Sequence, residues 1–432
     1  MQIEQQQAAL AVRHVLDGMA LPAALAAVDD GSELRGRSLV QELSYGTLRH
    51  WGRCDALTRV LAAKPITDAT LAALVAVALY QLDHTDAPPF AVVDRAVDAA
   101  GLIARPQAKA LVNALLRRYL RERVALNAQV AAASPVARWS YPRWWIGRVE
   151  ADHPQHWQQI LAVGNERPPL TLRFNRRVGT RASLLALFAA EGIAATAAGA
   201  SGIIVDPPRP VTGLPGFAQG AFAVQDLGAQ LAAPLLDVRD GLRVLDACAA
   251  PGGKASHLLE LADIELVALD RDEARLPRVR DNLRRLGHAE RNVQVLAGDA
   301  GEPSQWWDSR PFDRILVDAP CTASGIVRRH PDAKWLRRKS DLAALGGEQQ
   351  RILRALWPLL APGGSLLYAT CSVFAGENEL RVLEFMAQTP EALRETIRFD
   401  PEIAHEGGQL LPSGKGARHN HDGFFYALLR RA

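Results

Sequence analysis

Asp318, Cys321 and Cys371 carry the most reactive chemistry in this sequence. Cys321 stands in VDAPCTASGIVRRHPDAKW and Cys371 in LLYATCSVFAGENE, each just past a short apolar run of β type. A single small cysteine among apolar neighbours is ordinarily inert core. Two thiols at the ends of two such runs, with a carboxylate just before the first, point instead to an acid, a nucleophile and a second thiol on one rim. A thiol attacks only as thiolate, so such a site also needs a cation or a helix N-terminus that favours ionised sulfur.

A third block, ACAAPGGKASH, follows the apolar run LRVLD that ends at Asp246. Gly252 and Gly253 let backbone approach a ligand closely, and the helix start after them favours an anionic group. The loop is not the G-x-G-x-x-G of dinucleotide folds. Nor is it a P-loop, because Lys254 is followed by Ala255. Further runs end at Asp270, Asp299 and Asp318. One aspartate at a strand end usually caps the next helix. Four of them around a Gly-rich first loop fit a ligand with a carboxylate, a ribose diol and an adenine. Asp270 stands where an acidic residue takes ribose hydroxyls. S-adenosylmethionine is such a ligand, and it is the expected cofactor.

Beside a methyl sulfonium, a pair of thiols has a specific use. Carbon 5 of cytosine is a poor nucleophile, but thiolate addition at carbon 6 turns the ring into an enamine that can attack the methyl group. A carboxyl group at ring nitrogen 3 holds a proton there as charge builds. A base then removes the proton on carbon 5 and the thiol is expelled. Asp318, Cys321 and Cys371 supply the acid and the two thiols; the residues alone leave open which thiol attacks.

The C-terminal half must position these groups. From about residue 236 the runs LRVLD, ELVALD, VQVLAGD, RILVD and SLLYATC alternate with the helical segments ASHLLELA, EARLPRVRDNLRRLG and EQQRILRALWPLLA. This predicts an α/β fold with a doubly wound parallel sheet over 236–432, whose ligands bind beyond the carboxyl ends of the strands. Residues 1–135 have helical periodicity throughout, with Pro88-Pro89 and Arg105-Pro106 as punctuation, and predict an all-α bundle. Residues 136–235 are mixed. Trp139, Trp144, Trp145 and Trp157 suggest helix packing; PLTLRFNRRV reads as a strand, ASLLALFAAEG as a helix followed by a turn-rich stretch, and AFAVQDLGAQLAAPLLD as strand into helix. A small α/β subdomain is expected there.

A chain of 432 residues exceeds what one core usually serves, and 48% apolar with 22% charged residues is an ordinary globular composition. No run approaches the roughly 20 apolar residues of a membrane helix. MQIEQQQAALAVRHVL lacks the layout of a secretory signal, so a cytoplasmic location is expected. Cys54, Cys248, Cys321 and Cys371 are far apart and offer no zinc-ligand spacing, which predicts free thiols and no metal. The net charge of +3 argues only weakly for a polyanionic partner; local patches matter more.

The blocks DACAAPGGK, DAPC with a small-residue run through Gly325, and ATCS followed by ENE occur in order and resemble the Sun (Fmu) group of RNA cytosine-carbon-5 methyltransferases. RFN at Arg173–Asn175, VQD at Val224–Asp226 and DGFF at Asp422–Phe425 extend the likeness over nearly the whole chain. The helical N-terminal region is similar to the antitermination-factor-like RNA-binding domain of the bacterial member that acts on 16S ribosomal RNA. The resemblance implies that Cys371 is the nucleophile and Cys321 the assisting thiol that resolves the covalent adduct. It implies that Cys248, Ala249, Ala250, Pro251, Gly252, Gly253, Lys254, Asp270, Asp299 and Asp318 hold S-adenosylmethionine, with Asp318 also facing the base. Cys248 is expected to pack within the loop, and Cys54 in a core.

The implied reaction is methylation at carbon 5 of a specific cytosine in 16S ribosomal RNA, free or in a small-subunit assembly intermediate, by a monomer. The same chemistry on transfer RNA is one alternative. A non-catalytic ribosome-assembly factor is another, disfavoured by the intact thiols, acid and Gly-rich loop. DNA cytosine methylation is weaker still, because that family attacks from the cysteine of the Pro-Cys element and lacks the second thiol. Arg328, Arg329, Lys334, Arg337, Arg338 and Lys339 follow the DAPC loop, with Trp335 interleaved. A basic run is usually solvated surface, but beside an active rim it is expected to position phosphates. Arg173, Arg176 and Arg177 extend that track, whereas Arg117, Arg118, Arg121 and Arg123 read as a solvated helix face. The target base must be unpaired or flipped out. His419 and His421, before DGFF, read as exposed histidines.

Overall fold

A computed structural model of the chain describes residues 2–29, 31, 34–103, 107–399, 405, 407–414 and 419–432. Two compact units emerge, one made of residues 1–167 with 327–339 and the other of 168–326 with 340–432.

The first unit is helical. Its long helices span Gln2–Leu16, Leu34–Arg49, Trp51–Leu61, Ala69–His84, Pro89–Ile103 and Gln107–Ala133. Ala69–His84 is apolar around most of its circumference and is correspondingly buried from Ala73 to Leu82, the pattern of a central helix. Asp68 starts it by accepting hydrogen bonds from the Thr70 and Leu71 amides. The next helix begins at Pro89, where proline's missing N–H costs nothing. The expected break at Arg105-Pro106 lies outside the described residues. The tryptophan-bearing helices Pro135–Trp139, Arg143–Asp152 and Trp157–Val163 belong to this unit, with Trp139 edge-on to Trp157 at 5.4 Å. The expected 136–235 segment therefore has parts in both compact units.

The second unit holds two sheets. The smaller contains β1 (Leu170–Phe174), β2 (Ala195–Ala198), β3 (Gly202–Val205) and β4 (Phe222–Val224), all antiparallel in the order β2-β3-β1-β4. Helix Arg181–Ala190, started by a reciprocal Thr180–Ser183 capping box, buries Leu184 and Phe188 against Leu172, Ile203 and Phe222. The hairpin β2–β3 occupies the stretch that reads as turns. Its ATAAGASG run has little β propensity, and pairing with β1 decides its conformation.

The larger sheet contains β5 (Arg243–Asp246), β6 (Glu265–Asp270), β7 (Val293–Ala297), β8 (Phe312–Asp318), β9 (Leu360–Thr370), β10 (Ala392–Glu395), β11 (Gln409–Leu410) and β12 (Phe424–Arg431). Its order is β10-β12-β9-β8-β5-β6-β7, with β11 on β12. The five strands from β5 to β9 are parallel, as predicted; β12 runs antiparallel to β9. Alternate residues serve opposite faces. Val244, Leu266, Leu316 and Leu367 enter one core, and Leu245, Val267, Val317 and Leu366 enter the other. The sheet is thus buried on both sides. Chain progression reverses between β5 and β8, which places the ligand crevice at their carboxyl ends.

Candidate active site

The Gly-rich loop turns from β5 into helix Gly253–Leu261. Gly252 has φ of +98°, and a Cβ there would stand 3.2 Å from Val279 Cγ1 and 3.3 Å from its Cα. Both the backbone conformation and the close approach demand glycine. Asp270, at the end of β6, accepts from the Ala250 amide at 2.9 Å and the Asp272 amide at 3.1 Å, which fixes the loop to the neighbouring strand. Asp299 accepts from the Gly301 amide at 2.7 Å and from Arg351 at 2.8 Å on each oxygen. Burial works against ionisation of Asp299, but the amide and the guanidinium outweigh it and hold its pKa below the ordinary carboxylate range. Lys254 meets Asp318 at 2.5 Å; burial opposes its charge, and the Asp318 carboxylate more than compensates, so the ammonium is held more tightly than usual.

Asp246 is the exception among the strand-end carboxylates. It is wholly buried, and neither oxygen has a hydrogen-bond partner. Burial, then the charge of Asp318, push its pKa up to about 7.

These elements surround a cavity of about 230 Å³. It is lined by Cys248, Ala250, Asp270, Asp299, Asp318, Cys321 and Cys371, together with Arg271, Arg275, Glu348 and Ile352, which no motif singles out. Ala249, Pro251, Gly252, Gly253 and Lys254 are not in that lining; they shape the loop behind it. Cys248 is half-buried at the wall, and burial followed by the charges of Asp318, Asp246 and Asp270 drives its thiol far from ionisation. Cys54 packs in the core of the helical unit.

The two reactive thiols meet. Cys321 Sγ and Cys371 Sγ are 3.3 Å apart, with Cys321 buried and Cys371 partly open. The hydrogen bond to Cys371 first, then burial, raise the Cys321 pKa well above that of a free thiol. Around them Glu377 and Asn378 of the ENE block form a polar lattice. Glu377 accepts from the Thr322 amide at 2.8 Å, the Thr322 hydroxyl at 2.5 Å and the Ser372 hydroxyl at 2.6 Å. Asn378 donates to the Ser372 carbonyl at 2.9 Å. Gly325 donates to the Cys371 carbonyl and accepts from the Gly423 amide, each at 2.9 Å, and a Cβ on Gly325 would collide with Gly423 O at 2.2 Å. The DAPC, ATCS and DGFF blocks thus close on one another.

Three expected RNA contacts are corrected. Arg173 has no exposed surface; its guanidinium pairs with Glu260 and donates to Gly253 O, Ser256 Oγ and Gln225 Oε1, bracing the small sheet against the cofactor-loop helix. Arg328 is buried in the helical unit. Lys334 is buried too, donating to Arg49 O and Asn165 Oδ1 at 2.7 Å and lying over the Tyr141 ring. Long basic side chains here satisfy internal acceptors. Arg329 and Arg337 are half-buried, and Arg338 and Lys339 are exposed. His419 and His421 are buried, contrary to expectation; the Nδ1 of His421 lies 2.8 Å from Asp422 O.

The family model described as 16S rRNA methyltransferase RsmB/F matches residues 233–430, the RsmF/B-like ferredoxin-like domain matches 141–212, and the NusB family matches 2–121. Ribosomal RNA small subunit methyltransferase B of Vibrio cholerae is 42% identical over 98% of this chain and 96% of its own length. The protein of the same description from Pseudomonas putida is 44% identical over 98% and 97%. The chain belongs to the RsmB/F family of 16S rRNA methyltransferases. Membership makes it a methyltransferase with S-adenosylmethionine as cofactor. Among solved structures, PH0851 has the same fold, with a TM-score of 0.79 at 23% identity over 100% of this chain and 99% of that one. A methyltransferase homolog from Pyrococcus horikoshii, at 26% identity, superimposes with a TM-score of 0.58 over 69% of this chain and 100% of its own.

The residues present suit the RsmB/F cofactor. Asp270 and Asp299, on the cavity wall, are acceptors for hydroxyl and amino hydrogens. No described helix is long and apolar enough to cross a membrane.

Proposed function

We propose that this protein methylates carbon 5 of a cytosine in 16S ribosomal RNA through a covalent adduct between Cys371 and carbon 6. The observation that carries this reading is the thiol pair itself, 3.3 Å across, beside Asp318 on the wall of the cofactor cavity. Bound there, S-adenosylmethionine supplies an electrophilic methyl group. Cys371, more open than Cys321, adds as thiolate to carbon 6. Asp318, acting as the acid, gives a proton to ring nitrogen 3 as Cys371 adds and takes it back when Cys371 leaves, with Lys254 balancing the carboxylate charge in between. Carbon 5 then takes the methyl group. With Cys371 bonded to carbon 6, Cys321 loses its own proton to solvent and takes the proton from carbon 5; the electrons of that bond re-form the double bond and expel Cys371 as thiolate.

Arg329, Arg337, Arg338 and Lys339 are the members of the basic run left with exposed surface for phosphate contacts. The helical residues 1–135 add affinity and orientation for a particular RNA, and the small sheet within 136–235 supports the cofactor loop through Arg173. The protein works as a monomer in the cytoplasm, on an unpaired or flipped-out base.

The test is an adduct trap. Cys321→Ala protein incubated with an unpaired-cytosine fragment of 16S ribosomal RNA and S-adenosylmethionine gives a covalent protein–RNA species on a denaturing gel. Adding Cys371→Ala to the same chain abolishes it. No adduct, together with no methyl transfer by the wild type to ribosomal or transfer RNA, leaves a non-catalytic assembly factor as the better account.

A further inference from the structure

We propose that Glu377 is the positioning residue of the thiol pair: its buried carboxylate locks the two cysteine loops together and sets a negative charge beside Cys321. The inference rests on the proposed thiol chemistry and gives a role to the first residue of the ENE block.

Glu377 lies in the turn after β9 and has no exposed surface. It accepts from both loops, from the amide and hydroxyl of Thr322 next to Cys321 and from the hydroxyl of Ser372 next to Cys371. Accepting on both oxygens is the pattern of an ionised carboxylate. The connection is reinforced by Ser324 Oγ, which lies 2.8 Å from Ser372 Oγ and accepts from the Val373 amide at 2.9 Å. One buried anion thus sets the separation of two sulfur atoms whose contact the reaction needs.

Charge follows from the same geometry. A buried carboxylate beside Cys321 opposes a thiolate there, and Glu377 is among the groups that raise the Cys321 pKa. Lys254 is the cation that senses Cys371, and it is paired with Asp318. Tyr368 on β9 faces Cys321 and Glu377, with Arg381 beyond; Tyr426 on β12 faces Cys371 and Asp318. Both tyrosines are held far from ionisation, chiefly by burial, so neither competes for the negative charge. The anion therefore disfavours charge on Cys321.

The test is residue-resolved alkylation of the full-length protein by iodoacetamide across a pH series, without RNA or cofactor. Glu377→Gln keeps the size and removes the charge. The Cys321 profile is expected to move down by about one pH unit, roughly tenfold in its rate at fixed pH. Glu377→Asp, which keeps the charge, restores the wild-type order of reactivity. Thr322→Val leaves the anion in place with one donor fewer, so Cys321 stays as hard to ionise as in the wild type or becomes harder. That variant also keeps the proposal falsifiable if Glu377→Gln fails to fold. An unmoved Cys321 profile in folded Glu377→Gln, or a downward shift in Thr322→Val, overturns the proposal. Because alkylation needs neither RNA nor methyl transfer, a failed adduct trap alongside the expected shift would defeat the covalent reading and leave the role of Glu377 on the thiols standing.

Discussion

Arg173 and Glu260 are both buried and meet through two hydrogen bonds, 2.9 Å from Nε and 2.6 Å from Nη2. One end of the pair stands on β1 of the small sheet and the other on the helix that follows the Gly-rich loop. Removing one partner of such a pair leaves an uncompensated charge in the interior, which costs about 3–5 kcal/mol. Arg173→Ala is therefore expected to lower the unfolding free energy by that order, measured by urea titration, and to weaken cofactor binding through the loosened helix. A phosphate contact would behave differently: stability would hold, and the salt dependence of RNA binding would flatten. The second pattern would reinstate Arg173 as an RNA ligand.

Gly252 offers a test of the cofactor loop with the chemistry left intact. Alanine at φ of +98° costs about 1–2 kcal/mol, and its Cβ would press on Val279. Because the strain falls on the turn that approaches the ligand, Gly252→Ala is expected to weaken S-adenosylmethionine binding about tenfold by calorimetry. The rate of methyl transfer at saturating cofactor should change far less. Unaltered affinity in a folded variant would remove the loop from the cofactor site.

The parallel sheet and its rim were legible because each of the five strands is a short apolar run ending beside a residue that could do chemistry, from Asp246 to Cys371. The thiol pair was legible as two cysteines on that rim, although which of them attacks came only from the family likeness. Their contact depends on Glu377, an ordinary acidic residue in a string of three polar ones, and nothing in local spacing marks it as buried. The basic run misled in the opposite way. Arg328 and Lys334 look like Arg338 and Lys339 in sequence, and only the packing of 327–339 into the helical unit separates buried from exposed. Strand β12 escaped notice because its partner β9 is more than fifty residues distant, and pairing at that range leaves no short-range signature.

That separation within the basic run predicts two phenotypes. Arg338→Ala and Lys339→Ala are expected to lower RNA affinity similarly for all sequences, and each to reduce the slope of log affinity against log salt by about 1 where it contacts a phosphate. Lys334→Ala should leave that slope intact and lower the melting temperature, because Arg49 O and Asn165 Oδ1 lose their donor. Filter binding over a salt series, beside thermal melts, distinguishes the two. A reduced slope for Lys334→Ala with unchanged melting would return that residue to the surface.

Asp246 predicts how stability responds to pH. Its pKa rises from 3.8 to about 7 on folding, so between those values the folded chain holds a proton that the unfolded chain has released. Stability supplied by this group is complete below about pH 4, falls as pH rises, and is lost above about pH 7. Asp246→Asn is neutral throughout. Its melting temperature relative to the wild type should climb from pH 4 to 7 and then level off, and taking the difference cancels the opposite trend from buried His257, whose pKa is lowered by burial. Melting curves for the two proteins that run parallel from pH 4 to 8 would mean that Asp246 ionises normally in the fold.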